Sequence, residues 1–116
     1  MIHSISSVVL DVLESLSERG LHVDIITTEA RPSHQNSRTN GQQVKDRCDE
    51  LDLKCEVIPD SAVAIHMASV DCVLVGCEAV LSNGGIVNQV GTYSVALIAS
   101  HFQKPLYVFC QSYKFM

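Results

Sequence analysis

Val75-Gly-Cys-Glu-Ala-Val-Leu-Ser-Asn-Gly-Gly-Ile-Val-Asn-Gln-Val-Gly-Thr92 is the stretch whose reading decides the fold. It carries the apolar run Cys72-Val-Leu-Val-Gly76 into a polar, glycine-rich loop and then opens a helix. An apolar run of that kind suits a strand in a parallel sheet covered on both faces. Loops that follow such strands collect ligands, and backbone N–H groups at a helix start favour an anion. Glu78 puts a carboxylate beside that spot, so a phosphorylated small molecule is the first ligand suggested. Asn83-Gly84-Gly85 reads equally well as a tight turn and nothing more, because glycine tolerates positive φ.

Working outward, apolar residues at Ile5, Val8, Val9, Val12, Leu13 and Leu16 have helical spacing, and Gly20 supplies a stop. His22 to Thr28 is short and β-branched, which predicts a strand, and Pro32 forbids helical continuation beyond it. A second helix is expected from Asn40-Gly41 to about Leu53, with Val44, Cys48 and Leu51 facing a core. Cys55 to Pro59 makes the next strand, and Asp60-Ser61 can cap a short helix over Ala62 to Ala68. Thr92 can cap the following helix, whose inward face is Val95, Ile98, Ala99 and Phe102, and Leu106 to Cys110 is the last strand. Alternating helices and strands argue an α/β fold: a Rossmann-like parallel sheet with right-handed crossovers and helices on both faces. Such a fold normally opens on a strand, yet this chain enters a helix almost at once. The chain is therefore expected to be a piece of a longer protein with the first strand cut away, or with Met1 and Ile2 as its remnant, leaving the central position empty or filled by another chain and the fragment prone to associate.

The 116 residues fit one domain, with 47% hydrophobic and 18% charged residues. A net charge of −5 with scattered basic residues argues against direct nucleic-acid binding, which needs clustered Lys and Arg. No apolar run is long enough for a membrane span, and no signal peptide is legible, so a cytoplasmic location is the default expectation. The five cysteines, Cys48, Cys55, Cys72, Cys77 and Cys110, lack a Cys-x-x-Cys pair and read as reduced packing residues. His3, His22, His34, His66 and His101 stand apart from them, so neither a metal site nor a cofactor is expected.

Polar residues follow every strand: Glu29, Arg31 and Gln35, then Asp60, then Cys77 and Glu78, and finally Gln111, Ser112 and Lys114. Carboxylates, amides and one guanidinium suit a phosphorylated polyol, with Arg31 as bidentate phosphate partner. Arg31 can equally serve only to hold its loop by pairing with Glu29 or Asp60. Asn88 and Gln89 read as ligand contacts, as caps of the next helix, or as contacts to a neighbouring subunit. Ile86, Val87 and Val90 are a candidate oligomer interface, since a loop rarely exposes three aliphatic residues. His3 and His66 read as packing or surface residues rather than bases, and Ser4 beside His3 has no identifiable oxyanion site.

The blocks Ile2-His-Ser-Ile-Ser-Ser, Thr28-Glu-Ala-Arg-Pro with Gln35, Ile58-Pro-Asp-Ser-Ala, Gly76-Cys-Glu-Ala-Val, Asn83-Gly-Gly-Ile-Val-Asn-Gln-Val-Gly-Thr, Lys104-Pro-Leu-Tyr-Val and Ser112-Tyr-Lys-Phe carry a resemblance. In this order they resemble the regulatory subunits (alpha, beta and delta) of the guanine-nucleotide exchange factor for translation initiation factor two, most of all alpha. The resemblance implies a helical N-terminal domain followed by a dimerising Rossmann-like C-terminal domain; residues 1–116 correspond to the latter, with the former absent. It also reaches related sugar-phosphate isomerases, of methylthioribose-1-phosphate and ribose-1,5-bisphosphate. Those use a cysteine after the first-strand histidine, an aspartate after the fourth strand, and an Asn-Lys pair. Here Ser4, Glu78 and Asn88-Gln89 stand in those places.

A hydroxyl is a far weaker acid than a thiol, and a glutamate reaches one methylene farther than an aspartate, so both departures point away from catalysis. The resemblance thus implies a noncatalytic regulatory subunit, acting in assembly and in sensing phosphorylated substrate factor. Its partners would be the other exchange-factor subunits, initiation factor two, and a second copy in a homodimer or higher oligomer. Its pocket would comprise Ser4, Glu29, Arg31, Gln35, Glu78, Asn88, Gln89 and Lys114. The alternatives are an aldose-ketose isomerase of a phosphorylated pentose, with Glu78 as acid or base, or a noncatalytic sensor of a sugar phosphate or nucleotide monophosphate.

Overall fold

A computed structural model describes residues 1–31, 39–88 and 90–111. Helix α1 (Ser7–Glu18) is capped by Ser6, whose Oγ accepts from the Val9 amide, and it lays Val9 and Leu13 into the core. Arg19 ends it, and Gly20 takes φ +71° beyond. Strand β1 (Asp24–Thr28) follows, then α2 (Asn40–Glu50), capped by Thr39 through the Gln42 amide. Strand β2 (Lys54–Ile58), a 3-10 turn (Asp60–Ala62) and the short helix α3 (Val63–Met67) lead to β3 (Val73–Gly76). The polar loop contains a small hairpin, β4 (Ala79–Val80) and β5 (Ile86–Val87), before α4 (Thr92–His101) and β6 (Leu106–Phe109).

β1 pairs in parallel with β2, and β3 with β6. Ile2 joins the two pairs by parallel bridges to Thr27 and Leu74. Its amide donates to the Ile26 carbonyl at 2.8 Å, its carbonyl accepts from Thr28 at 3.0 Å, and the Met1 carbonyl accepts from Leu74 at 2.8 Å. The order across the sheet is β2, β1, the Met1–His3 segment, β3, β6. The central position is thus occupied at Ile2. On the other side of that residue, toward the amino ends of the strands, a 660 Å³ cavity lies between β1 and β3, lined by Leu13, Val23, Ile25, Val70 and Leu74 among others.

Alternating side chains feed two cores. Ile2, Val9, Leu13, Ile25, Val44, Cys48, Leu53 and Cys55 pack between the sheet and α1 and α2. Met1, Ile58, Val63, Met67, Val73, Val75, Val95 and Ala99 pack on the opposite face with α3 and α4. The expected three-layer α/β architecture is therefore present. In the first core Cys55 gives its thiol hydrogen to Cys48, which pushes the Cys55 pKa up and pulls that of Cys48 down.

The structure corrects several local expectations. Cys77 and Cys110 are joined in a disulfide with their Cα atoms 5.6 Å apart, whereas the sequence reads them as reduced packing residues. The cause is register: Gly76 lies opposite Phe109 in the β3–β6 ladder, so the next residues of both strands fall side by side. Thr92 does not cap α4. Gly91 is its N-cap at φ +95°, and Thr92 is the first helical residue. Asp60 and Ser61 give no side-chain cap to α3, because the Asp60 carboxylate is engaged elsewhere.

Candidate functional site

The chain reverses its direction across the sheet at the Met1–His3 segment: α1 carries it to β1 on one side, while α3 carries it to β3 on the other. In open parallel sheets the carboxyl ends beside such a reversal form the ligand crevice. Ser4 stands at that tip, buried to 8% exposure and held at φ +70°. Its Oγ accepts from Asn40 Nδ2 at 3.4 Å. Immediately beneath, the buried His3 ring spans the sheet. Nε2 donates to the Val90 carbonyl, which fixes the tautomer and leaves Nδ1 to accept from Thr28 Oγ1 at 2.6 Å.

At the tip of β1 the Asp60 carboxylate accepts from two backbone amides, Ala30 at 2.7 Å and Arg31 at 2.8 Å. These bonds hold Ala30 at φ +58°. Arg31 Nε donates to Glu29 Oε2 at 2.5 Å while its side chain remains 67% exposed. Of the two readings of Arg31, the loop-holding ion pair with Glu29 is the one formed. The backbone of α2 comes close to the same tip, with the Gly41 amide donating to the Glu29 carbonyl at 3.2 Å.

Beyond β3, Cys77 is buried and Glu78 is exposed. Asn88 Nδ2 donates to Thr92 Oγ1 at 3.3 Å, just outside the first turn of α4. Of the candidate interface residues, Ile86 is half-buried, Val90 is 67% exposed, and Val87 pairs through its backbone with Ala79. Gln35, Gln89 and Lys114 lie outside the described residues. The tips thus carry separate local groupings, Ser4 with Asn40, Glu29 with Arg31, and Asn88 with Thr92, and Glu78 is in no hydrogen bond with any of them among the described residues.

The sequence reading offered Asp60 as a side-chain partner of Arg31 but missed that it holds the β1 loop through the Ala30 and Arg31 amides, and it missed Asn40 as the partner of Ser4. Position just after a strand was the one available signal for Asp60. For Asn40 there was none, because its role depends on how α2 approaches the central tip. Among the described residues no group of three His, Cys, Asp or Glu side chains converges as a metal site would require, and no helix is long and apolar enough to cross a membrane.

A parallel sheet sandwiched by helices, with polar residues at the strand tips beside its reversal point, defines the Rossmann-like α/β class. Within that class, the chain belongs to the initiation factor 2 subunit family, whose model matches residues 1–116. It is 37% identical to translation initiation factor eIF2B subunit alpha of Dictyostelium discoideum over 115 residues, covering 99% of this chain and 34% of that protein. It is 36% identical to ribose 1,5-bisphosphate isomerase of Archaeoglobus fulgidus over 115 residues, covering 99% of this chain and 35% of that enzyme. The crystal structure of translation initiation factor eIF-2B from Pyrococcus horikoshii OT3 superposes with a TM-score of 0.91 at 29% identity, covering 98% of this chain and 40% of that one. The chain therefore spans between a third and two fifths of the length of these relatives.

Proposed function

We propose that this domain belongs to a noncatalytic regulatory subunit of the guanine-nucleotide exchange complex of translation initiation factor two, acting in assembly and in sensing the phosphorylated factor. The observation that carries the reading is at the central tip. There Ser4, a hydroxyl tied to Asn40, stands where the resemblance to the isomerases implies a thiol. A hydroxyl supplies neither the acidity nor the nucleophilicity of a thiolate. The similarity to an eIF2B alpha subunit agrees with this. Its partners on this reading are the other exchange-factor subunits, initiation factor two and a second copy of itself, with Ile86, Val87 and Val90 at the oligomer contact, in the cytoplasm. The test is reconstitution of the exchange complex with and without the complete subunit. Loss of the response to phosphorylated substrate factor is expected on omission, and an unchanged response would overturn the reading.

A second reading is favoured by the strand-tip chemistry and by the similarity to the isomerase. The crevice holds a sugar phosphate or nucleotide monophosphate without turning it over, through Ser4, Arg31, Glu78 and Asn88, with Gln35, Gln89 and Lys114 contributing from outside the described residues. Arg31 would exchange its exposed pairing with Glu29 for phosphate at little cost, since exposed ion pairs contribute little. A ligand that binds only the folded state raises the melting temperature. A panel of phosphorylated pentoses and nucleoside monophosphates that leaves the transition unmoved would retire this reading. Ketose product from an aldose phosphate would replace it with the isomerase.

A further inference from the structure

The loop from β3 to α4 is fastened at both ends. At its far end the Val90 carbonyl takes the His3 Nε2 hydrogen, and at its near end Cys77 is bonded to Cys110 of β6. The two fastenings differ in kind. The first is a hydrogen bond from a buried ring, while the second is a covalent bond that a thiol can open. We propose that Cys77 and Cys110 form a reversible dithiol–disulfide pair that sets how firmly the Glu78 to Asn88 loop is held at the strand tips.

The fold does not depend on the bridge. β3 and β6 are already joined by a parallel ladder from Val73–Leu106 to Gly76–Phe109, and the disulfide adds one cross-link past its end. Nor is the chain built as an oxidised scaffold: Cys48, Cys55 and Cys72 remain thiols, and Cys48 and Cys55 share a hydrogen bond instead of a covalent bond. A single bridge among free thiols is the pattern of redox sensing rather than of structural stapling. Exposure sets the order of events. Cys77 is 3% exposed, whereas Cys110 is half-buried at the end of β6, which has one neighbouring strand among the described residues.

A thiolate of a glutathione-type reductant therefore attacks Cys110 Sγ, forming a mixed disulfide and expelling the Cys77 thiolate, which takes up a proton. A second reductant thiol then attacks the mixed disulfide and releases Cys110 as a thiol. Two reductant thiols become one disulfide, and two electrons and two protons pass to the protein pair. With the cross-link gone, no covalent bond ties the start of the loop to β6. Any consequence for ligand affinity rests on the sugar-phosphate reading above; the redox and loop-mobility consequences do not.

The test equilibrates the folded protein in glutathione buffers of graded oxidised-to-reduced ratio. It is then quenched with an alkylating reagent under denaturing conditions and mapped by peptide mass. The Cys77 and Cys110 peptides are expected to change together from unlabelled to labelled across the series, with the folded state retained by circular dichroism. Full labelling at every ratio, or no labelling short of unfolding, would overturn the proposal. Hydrogen exchange read on the same samples is expected to accelerate by about tenfold at the amides of Glu78 to Val87 on reduction, while β1 and β2 are unchanged. Cys110→Ser is expected to exchange at the faster rate at every ratio. Should that variant fail to fold, reduced wild-type protein supplies the same reading, and equal loop exchange in the two redox states would equally defeat the idea. Thermal shifts with ribose 5-phosphate in both states are a separate arm, whose failure bears on the ligand alone.

Discussion

His3 Nε2 donates a hydrogen bond of 2.8 Å to the carbonyl oxygen of Val90, joining the central segment of the sheet to the end of the loop that precedes α4. The same ring accepts from Thr28, so one buried side chain ties three elements together. Replacing it with alanine removes both bonds and leaves a cavity. His3→Ala is expected to cost about 3 kcal/mol, read as a lowered urea midpoint. His3→Gln, whose amide can donate to Val90, is expected to recover part of that loss. Equal midpoints for both variants and wild type would contradict the bridging role.

Two glycines of the same loop separate backbone strain from crowding. Gly84 and Gly91 both hold positive φ, +87° and +95°. A Cβ at Gly84 meets nothing within 4 Å, whereas one at Gly91 lies 3.0 Å from the His3 Cε1 and Nε2 atoms. The His3 ring is pinned at both nitrogens and cannot retreat. Gly84→Ala is expected to cost about 1 kcal/mol, from the left-handed backbone alone, and Gly91→Ala about 2 kcal/mol more. Thermal or urea unfolding of the pair checks the ordering.

Gly41 sets two effects against each other. It sits inside α2, where alanine is favoured over glycine by about 1 kcal/mol on helix propensity. A Cβ there would run into the Thr28 carbonyl oxygen, which is backbone of β1 and cannot swing aside. The clash outweighs propensity, and Gly41→Ala is expected to destabilise by about 2 kcal/mol. A stabilised variant would show that α2 can shift off the strand tip.

Asp60 gives a prediction with a local readout. Its two oxygens accept from the Ala30 and Arg31 amides, and Asp60→Asn keeps the shape while turning one acceptor into a donor aimed at a donor. The loss is expected to be about 2 kcal/mol. Hydrogen exchange at the Ala30 and Arg31 amides should accelerate while β2 stays protected. Unaltered exchange there would mean that the β1 loop is held by other contacts.

The elements themselves were legible because their signals are periodic and local. The stripe from Ile5 to Leu16, the β-branched run ending at Thr28 and the apolar stretch before Gly76 each determine their own conformation. What could not be read depends on neighbours distant in sequence. Cys77 meets Cys110 only because β3 lies beside β6 in one register, and Asp60 finds the Ala30 amide only because β2 lies beside β1. The β4–β5 hairpin, two residues in each strand, is too short for an alternating pattern to show above the turn residues it contains. Gly91 displaced Thr92 as the cap of α4 because the close approach of the His3 ring leaves room for no side chain there.

The outer margin of β6 carries a consequence of its own. Tyr107 is 52% exposed and Val108 40% exposed, so consecutive side chains on both surfaces of this strand face water, and among the described residues it pairs on one side only. A row of outward-facing peptide groups flanked by aromatic and β-branched residues is a template onto which another extended chain can zip. A concentrated solution of this domain would then gain turbidity or sedimenting species from edge-to-edge growth, and a lysine in place of Tyr107 would blunt that tendency while leaving the inward-facing layers alone.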